Sequence, residues 1–199
     1  MSDAVEQLVH AFERFPGVGP RQARRFTYYL LAANAAERNA LSETIGTLTK
    51  NVRQCPECFR FWSGSGERCR ECSDSARSDE LLMLIEKDQD IHTVECANYK
   101  GHYFVLGGVL TLSGKGAIRE QELLRSVDAR IARGLKEIIL ALSATSEGEN
   151  TAERVRELLA PYRSTVRITT LGRGLATGSE LEYVDAETLA GAFANRKEY

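Results

Sequence analysis

The chain has no run of about eighteen apolar residues, the length a helix needs to cross a bilayer, so no spanning segment is expected. Its start, Met1-Ser2-Asp3-Ala4-Val5-Glu6, is polar and acidic, without the basic opening and apolar core of a secretory signal. No internal repeat or low-complexity tract is visible. Gly114-Lys115-Gly116 is too short for a glycine-rich phosphate loop. An overall basic excess is missing too: the net charge is −2, which on the average argues against a polyanionic partner. These absences point to a cytoplasmic protein whose five cysteines are mostly reduced thiols, since disulfides are rare in that compartment.

What is present is ordinary globular composition, 43% hydrophobic and 27% charged over 199 residues, enough for one or two modest domains. The average charge hides an asymmetry. Residues 1–72 carry ten Lys and Arg against eight Asp and Glu, whereas residues 73–199 carry sixteen against twenty. Arg14, Arg21, Arg24 and Arg25 crowd into one short stretch, and local charge on one face matters more to a polyanion than the total.

Apolar spacing gives a helix over residues 3–14, through Val5, Leu8, Val9 and Phe12. Phe15-Pro16-Gly17-Val18-Gly19-Pro20 breaks it, and a second helix starts near Pro20 or Arg21, where proline is tolerated in the first turn. A third follows at about 36–53, through Leu41, Ile45, Leu48 and Val52. After a polar linker at 73–80 the rhythm changes. Short β-rich runs at 81–85, 103–106, 138–142 and 166–171 alternate with helical patterns near 119–133 and 151–160, and another helix is expected at 186–196. Such alternation implies a mostly parallel sheet covered by helices.

Cys55 and Cys58, then ten residues, then Cys69 and Cys72 make two Cys-x2-Cys turns. Each turn aims two thiolates at one point, and four sulfurs suit tetrahedral Zn²⁺ with no coordination position left for water, hence a structural ion. The competing readings are four unrelated buried thiols or a redox pair, and a redox Cys-x2-Cys should open a helix in a strand-helix unit. Cys96 stands alone and is expected in or just after a strand, as a buried thiol.

The glycine turn before the second helix offers a different chemistry. Gly17 and Gly19 leave room for close approach, the helix start carries unpaired N–H groups and partial positive charge, and Arg21, Arg24 and Arg25 add full charges beside it. Phosphate binding and a plain packing corner with a solvated basic face are both compatible with this pattern. Farther on, Glu86, Asp88, Asp90 and Glu95 follow one strand, and Glu147 and Glu149 follow another. In a parallel sheet both groups fall at the strand carboxyl ends, where ligands usually bind. Converging carboxylates there could hold Mg²⁺; solvated loop acids are the simpler alternative.

These pieces fall in an order that resembles the bacterial RecR family. Phe15–Arg21 is similar to the family's helix-hairpin-helix turn, and the four cysteines to its zinc segment. Three later runs, at 99–108, 145–152 and 172–189, are similar to the signatures of its Toprim domain, the acidic fold shared with topoisomerases and primases. The departures are a longer cysteine loop, Ala176 in place of a proline, a stretch one residue short at 95–99, and an altered loop around Gly114–Gly116.

The resemblance implies four regions: a helix-hairpin-helix over 1–54, a zinc segment over 55–72, a Toprim domain over 79–171 and a C-terminal segment with a helix over 172–199. It further implies sequence-independent binding of single- and double-stranded DNA, one structural Zn²⁺ per chain, and a homotetramer or dimer. Glu86, Asp90, Glu147 and Glu149 would form an acidic partner face. The expected role is to act with RecO, and as often in the family with RecF, in placing RecA on single-stranded gaps. Catalytic Toprim proteins carry an Asp-x-Asp pair where this chain has Ser143 and Thr145. A hydroxyl cannot replace a carboxylate charge on Mg²⁺, so a non-catalytic module is expected over a metal-dependent nuclease or nucleotidyl transferase.

Overall fold

A computed structural model describes residues 3–198. The chain divides into two compact units, Met1–Arg53 and Gln54–Tyr199.

The first unit is helical. In α1 (Ala4–Glu13) the Asp3 carboxylate accepts a hydrogen bond from Val5 N, 3.3 Å, and so caps the helix start. Gly17 turns the chain with φ +77°, a conformation that favours glycine, and Gly19 is extended and serves as N-cap of α2 (Pro20–Ala32). Ala23 and Thr27 form the buried stripe of α2, and Phe12 meets Phe26 edge-on at 5.6 Å, joining α1 to α2. In α3 (Ala35–Asn51) the Asn34 side chain caps Glu37 N at 3.0 Å, yet no residue of the helix is buried.

The second unit opens on the cysteine segment. Two short strands, β1 (Arg53–Gln54) and β2 (Phe61–Trp62), form a small sheet, and α4 (Arg70–Ser73) is one turn. The main sheet is parallel, in the order β4-β3-β5-β6, from β3 (Ser78–Ile85), β4 (Gly101–Val105), β5 (Glu137–Ala141) and β6 (Arg167–Thr170). Leu84 stands opposite both Phe104 and Leu140. Alternation along the strands splits the core. Leu82, Leu84, Phe104 and Leu106 pack with Leu123 and Val127 of α6 (Glu120–Ile131) and Val155 of α7 (Ser146–Leu158). Met83, Ile85, Tyr103 and Val105 pack with Ile91 of α5 (Asp88–Cys96) on the other face. Burial of each such large side chain contributes about 1.5–3 kcal/mol. The chain then runs extended to α8 (Ala186–Ala194), capped by Asp185 on Thr188 N at 2.8 Å.

The expected strand-helix alternation is present, with three corrections. Residues 88–96 are helical rather than loop: Asp90 closes the helix start by accepting from Lys87 N at 2.9 Å, and Ile91 supplies the buried contact. Cys96 is therefore the last residue of a helix and is exposed, not a buried strand thiol. The polar linker ends early, because Ser78–Glu80 already belong to β3.

Candidate metal centre and acidic strand edge

The four sulfurs of Cys55, Cys58, Cys69 and Cys72 lie within 4.8 Å of one another, and all four residues are buried. Tight turns aim them inward: Phe59 N donates to Cys55 O at 2.9 Å, and Ser73 N to Cys69 O at 3.0 Å. Cys69 does open the single turn α4, but no strand leads into it, so the strand-helix setting of a redox pair is absent. Cys58 Sγ and Cys69 Sγ are 3.5 Å apart, and tetrahedral Zn–S bonds of about 2.3 Å place sulfurs about 3.8 Å apart.

The donor chemistry fits a cation as well. Hydrogen bonds from the other thiols push the Cys55 thiol far down, while sharing with Cys55, together with burial, pushes Cys58 and Cys72 far up. Four thiolates within 4.8 Å of one another repel, and a cation among them would offset that repulsion. The four cysteines are placed to hold a metal ion.

Glu57, inside the first Cys-x2-Cys turn, was not singled out by sequence. Its carboxylate meets Arg68 at 2.9 Å, Arg133 at 3.6 Å and Arg130 at 3.8 Å. Arg130 is 1% exposed, on the same stripe of α6 as Leu123 and Val127. A charged residue at that spacing among apolar ones was the available signal.

At the carboxyl end of the sheet the sequence-derived acids separate into distinct environments. Glu86 directly follows β3 and is 6% exposed. Both its oxygens are taken by one residue: Ser143 N donates to Oε1 at 2.7 Å and Ser143 Oγ to Oε2 at 3.0 Å. Thr145 caps α7, its hydroxyl accepting from Gly148 N at 3.1 Å. Gly148 lies so near the turn that a Cβ would stand 2.0 Å from Ser143 O, which only glycine permits. Asp90 is engaged at Lys87 N, and Asp88 accepts from Phe61 N at 2.6 Å. Glu149 is exposed and pairs with Arg173, which also reaches Glu187 at 3.6 Å. Among the described residues, the cysteine sulfurs form the only set of three or more such ligand atoms within 4.8 Å. The acids share an edge of the sheet without converging on one point.

In the helical unit Arg21, Arg24 and Arg25 are exposed on α2. Arg24 pairs with Glu6 at 3.2 Å, and Arg25 donates to Gln22 at 3.2 Å. Arg21 has no ion pair or side-chain hydrogen bond among the described residues. The start of α2 has neither a side-chain cap nor an acidic residue in its first turn.

Comparison with known proteins agrees with this layout. The model for "RecR, helix-hairpin-helix" matches residues 5–48, that for "Toprim domain" residues 80–171, and that for "RecR, C-terminal" residues 174–197. A recombination protein RecR of a Nocardioides species is 35% identical over 196 residues, covering 97% of this chain and 96% of the relative. The Chloroflexus aurantiacus protein of the same name is 36% identical over 196 residues, 98% and 94% of the two chains. That of Bdellovibrio bacteriovorus is 34% identical over 202 residues, 98% and 97%. With family models along both units and similarity over nearly its whole length, this chain belongs to the RecR family.

Proposed function

We propose that the protein is a non-catalytic, DNA-binding recombination mediator of the cytoplasm that carries one structural Zn²⁺ per chain. The observation that carries the non-catalytic reading is the engagement of Glu86. In a Toprim nuclease that carboxylate faces metal-binding aspartates; here Ser143 supplies two hydrogen-bond donors to it instead. A carboxylate satisfied by hydrogen-bond donors needs no cation, and among the described residues Glu86 belongs to no cluster of three or more candidate metal ligands. Supercoiled plasmid incubated with the protein and Mg²⁺ should stay supercoiled. Nicking that is lost in Glu147→Gln would establish the enzyme reading instead.

DNA contact is assigned to the turn at Gly17 and Gly19 and to the start of α2. An uncapped helix end without an acid in its own first turn, flanked by Arg21, is suited to a backbone phosphate. Arg21 is the principal contact, Arg24 must first leave Glu6, and Arg25 contributes least.

We assign Glu147 and Glu149, with Glu86 and Asp90 behind them, to the face that meets a RecO-like or RecF-like mediator. Its negative charge repels DNA and suits a basic protein surface. Glu147→Lys should weaken capture of RecO by the protein while leaving DNA binding unchanged or stronger; full RecO affinity in the variant would remove this assignment. Together these contacts would serve RecA placement on single-stranded gaps.

A homotetramer or dimer accounts for the apolar surface of the helical unit. Leu41, Ile45 and Leu48 are 44%, 64% and 57% exposed, and no residue of α3 is buried. Assembly would multiply weak arginine contacts through effective concentration.

A further inference from the structure

We propose that the four-cysteine segment is the guard of the β4 edge of the Toprim sheet, so that loss of its metal opens that edge in particular. β4 is the outer strand of the sheet, paired to β3 on one side only. An uncovered outer strand is a template for pairing with another chain, and folded proteins cover or blunt it.

Here the cysteine segment covers the Val105 end of the strand, while Arg77 donates to Gly101 O at its start, 2.9 Å. Val105 N donates to Cys58 O at 2.8 Å, so a metal-ligand residue provides the backbone partner that a neighbouring strand would otherwise supply. The next residue, Phe59, adopts φ +62°, an uncommon backbone conformation for a large side chain. That turn sends its ring against Phe104 of β4 at 5.3 Å and beneath Arg119 at 5.7 Å. Arg119 in turn donates to Val105 O at 2.8 Å, closing the second outward group of the same residue.

A charge link runs beside this cover. Arg130 is fully buried, none of its side-chain nitrogens has a hydrogen-bond partner, and Glu57 is its ion-pair partner among the described residues. Glu57 lies between Cys55 and Cys58, so the turn that holds the metal also holds the counter-charge of a buried guanidinium. Opening the turn withdraws the Cys58 carbonyl, the Phe59 ring and the Glu57 carboxylate together. A buried charge stripped of its partner is strongly unfavourable, so the α6 side of the edge loosens as well.

The inference rests on the reading of the four cysteines as a metal centre, and the experiment separates the two. Hydrogen-deuterium exchange is followed by mass spectrometry on the full chain, as purified and after chelation, with metal content measured on the same samples. Chelation should speed exchange at 101–106 by about tenfold or more, a local loss of roughly 1.4 kcal/mol, while 167–170 on the opposite edge keeps its protection. Phe59→Gly accepts the same backbone conformation and leaves all four thiols in place. It should retain metal yet lose protection at 101–106. If the purified protein holds no metal, the metal-centre reading fails, and the glycine variant still tests the cover. Unchanged exchange at 101–106 in metal-free protein or in Phe59→Gly overturns the guard, as does a loss on chelation spread evenly over 137–141 and 167–170.

Discussion

At the residue scale, the proposed non-catalytic role rests on Ser143 and Glu86. The serine lies on the turn after β5, where its amide and hydroxyl together reach both oxygens of a buried carboxylate. Ser143→Ala keeps the amide bond and removes the hydroxyl, leaving Oε2 of Glu86, a residue only 6% exposed, without its protein donor. The expected cost is about 1–3 kcal/mol, read as a lower thermal midpoint with metal content unchanged. An unaltered midpoint would show that water replaces the hydroxyl freely. The absence of the aspartate pair was legible from sequence; the engagement of Glu86 was not, because it depends on the closeness of two turns 57 residues apart in the chain. The four cysteines were legible because two local turns carry all their geometry. Glu57 and Arg130 were not, since their pairing joins the cysteine segment to a distant helix.

At the element scale, local pattern and tertiary demand diverge in two places. The α5 segment, Asp88–Cys96, is polar apart from Ile91 and Val94, so its periodicity is weak. Its start is fixed by the Asp90 cap and its packing by Ile91 on the sheet. The exposure of Cys96 follows from its place at the end of that helix. The reverse holds for α3, whose apolar spacing was plain in the sequence although none of its residues is buried. An apolar stripe without a covering surface in its own unit agrees with the proposed self-association. Ile45→Lys should lower the solution mass measured by light scattering while preserving helical content. The parental mass in that variant would place the subunit contact elsewhere.

At the scale of the whole molecule, a net charge of −2 coexists with a basic helix start because the two signs are segregated along the chain. The helical unit presents Arg21, Arg24 and Arg25, while the sheet edge presents Glu147 and Glu149. Segregation of this kind allows one protein to meet a polyanion and a basic partner at separate places. On the proposed function, DNA is held through backbone phosphates at the start of α2. Fluorescence anisotropy of a labelled duplex, titrated with the parent and with the Arg21→Ala, Arg24→Ala double variant across a salt series, addresses it most directly. The variant should bind more weakly at low salt, and its plot of log affinity against log salt should be shallower by up to about two units, roughly 0.9 for each phosphate contact removed. Equal affinity of the two proteins at every salt concentration would contradict the assignment.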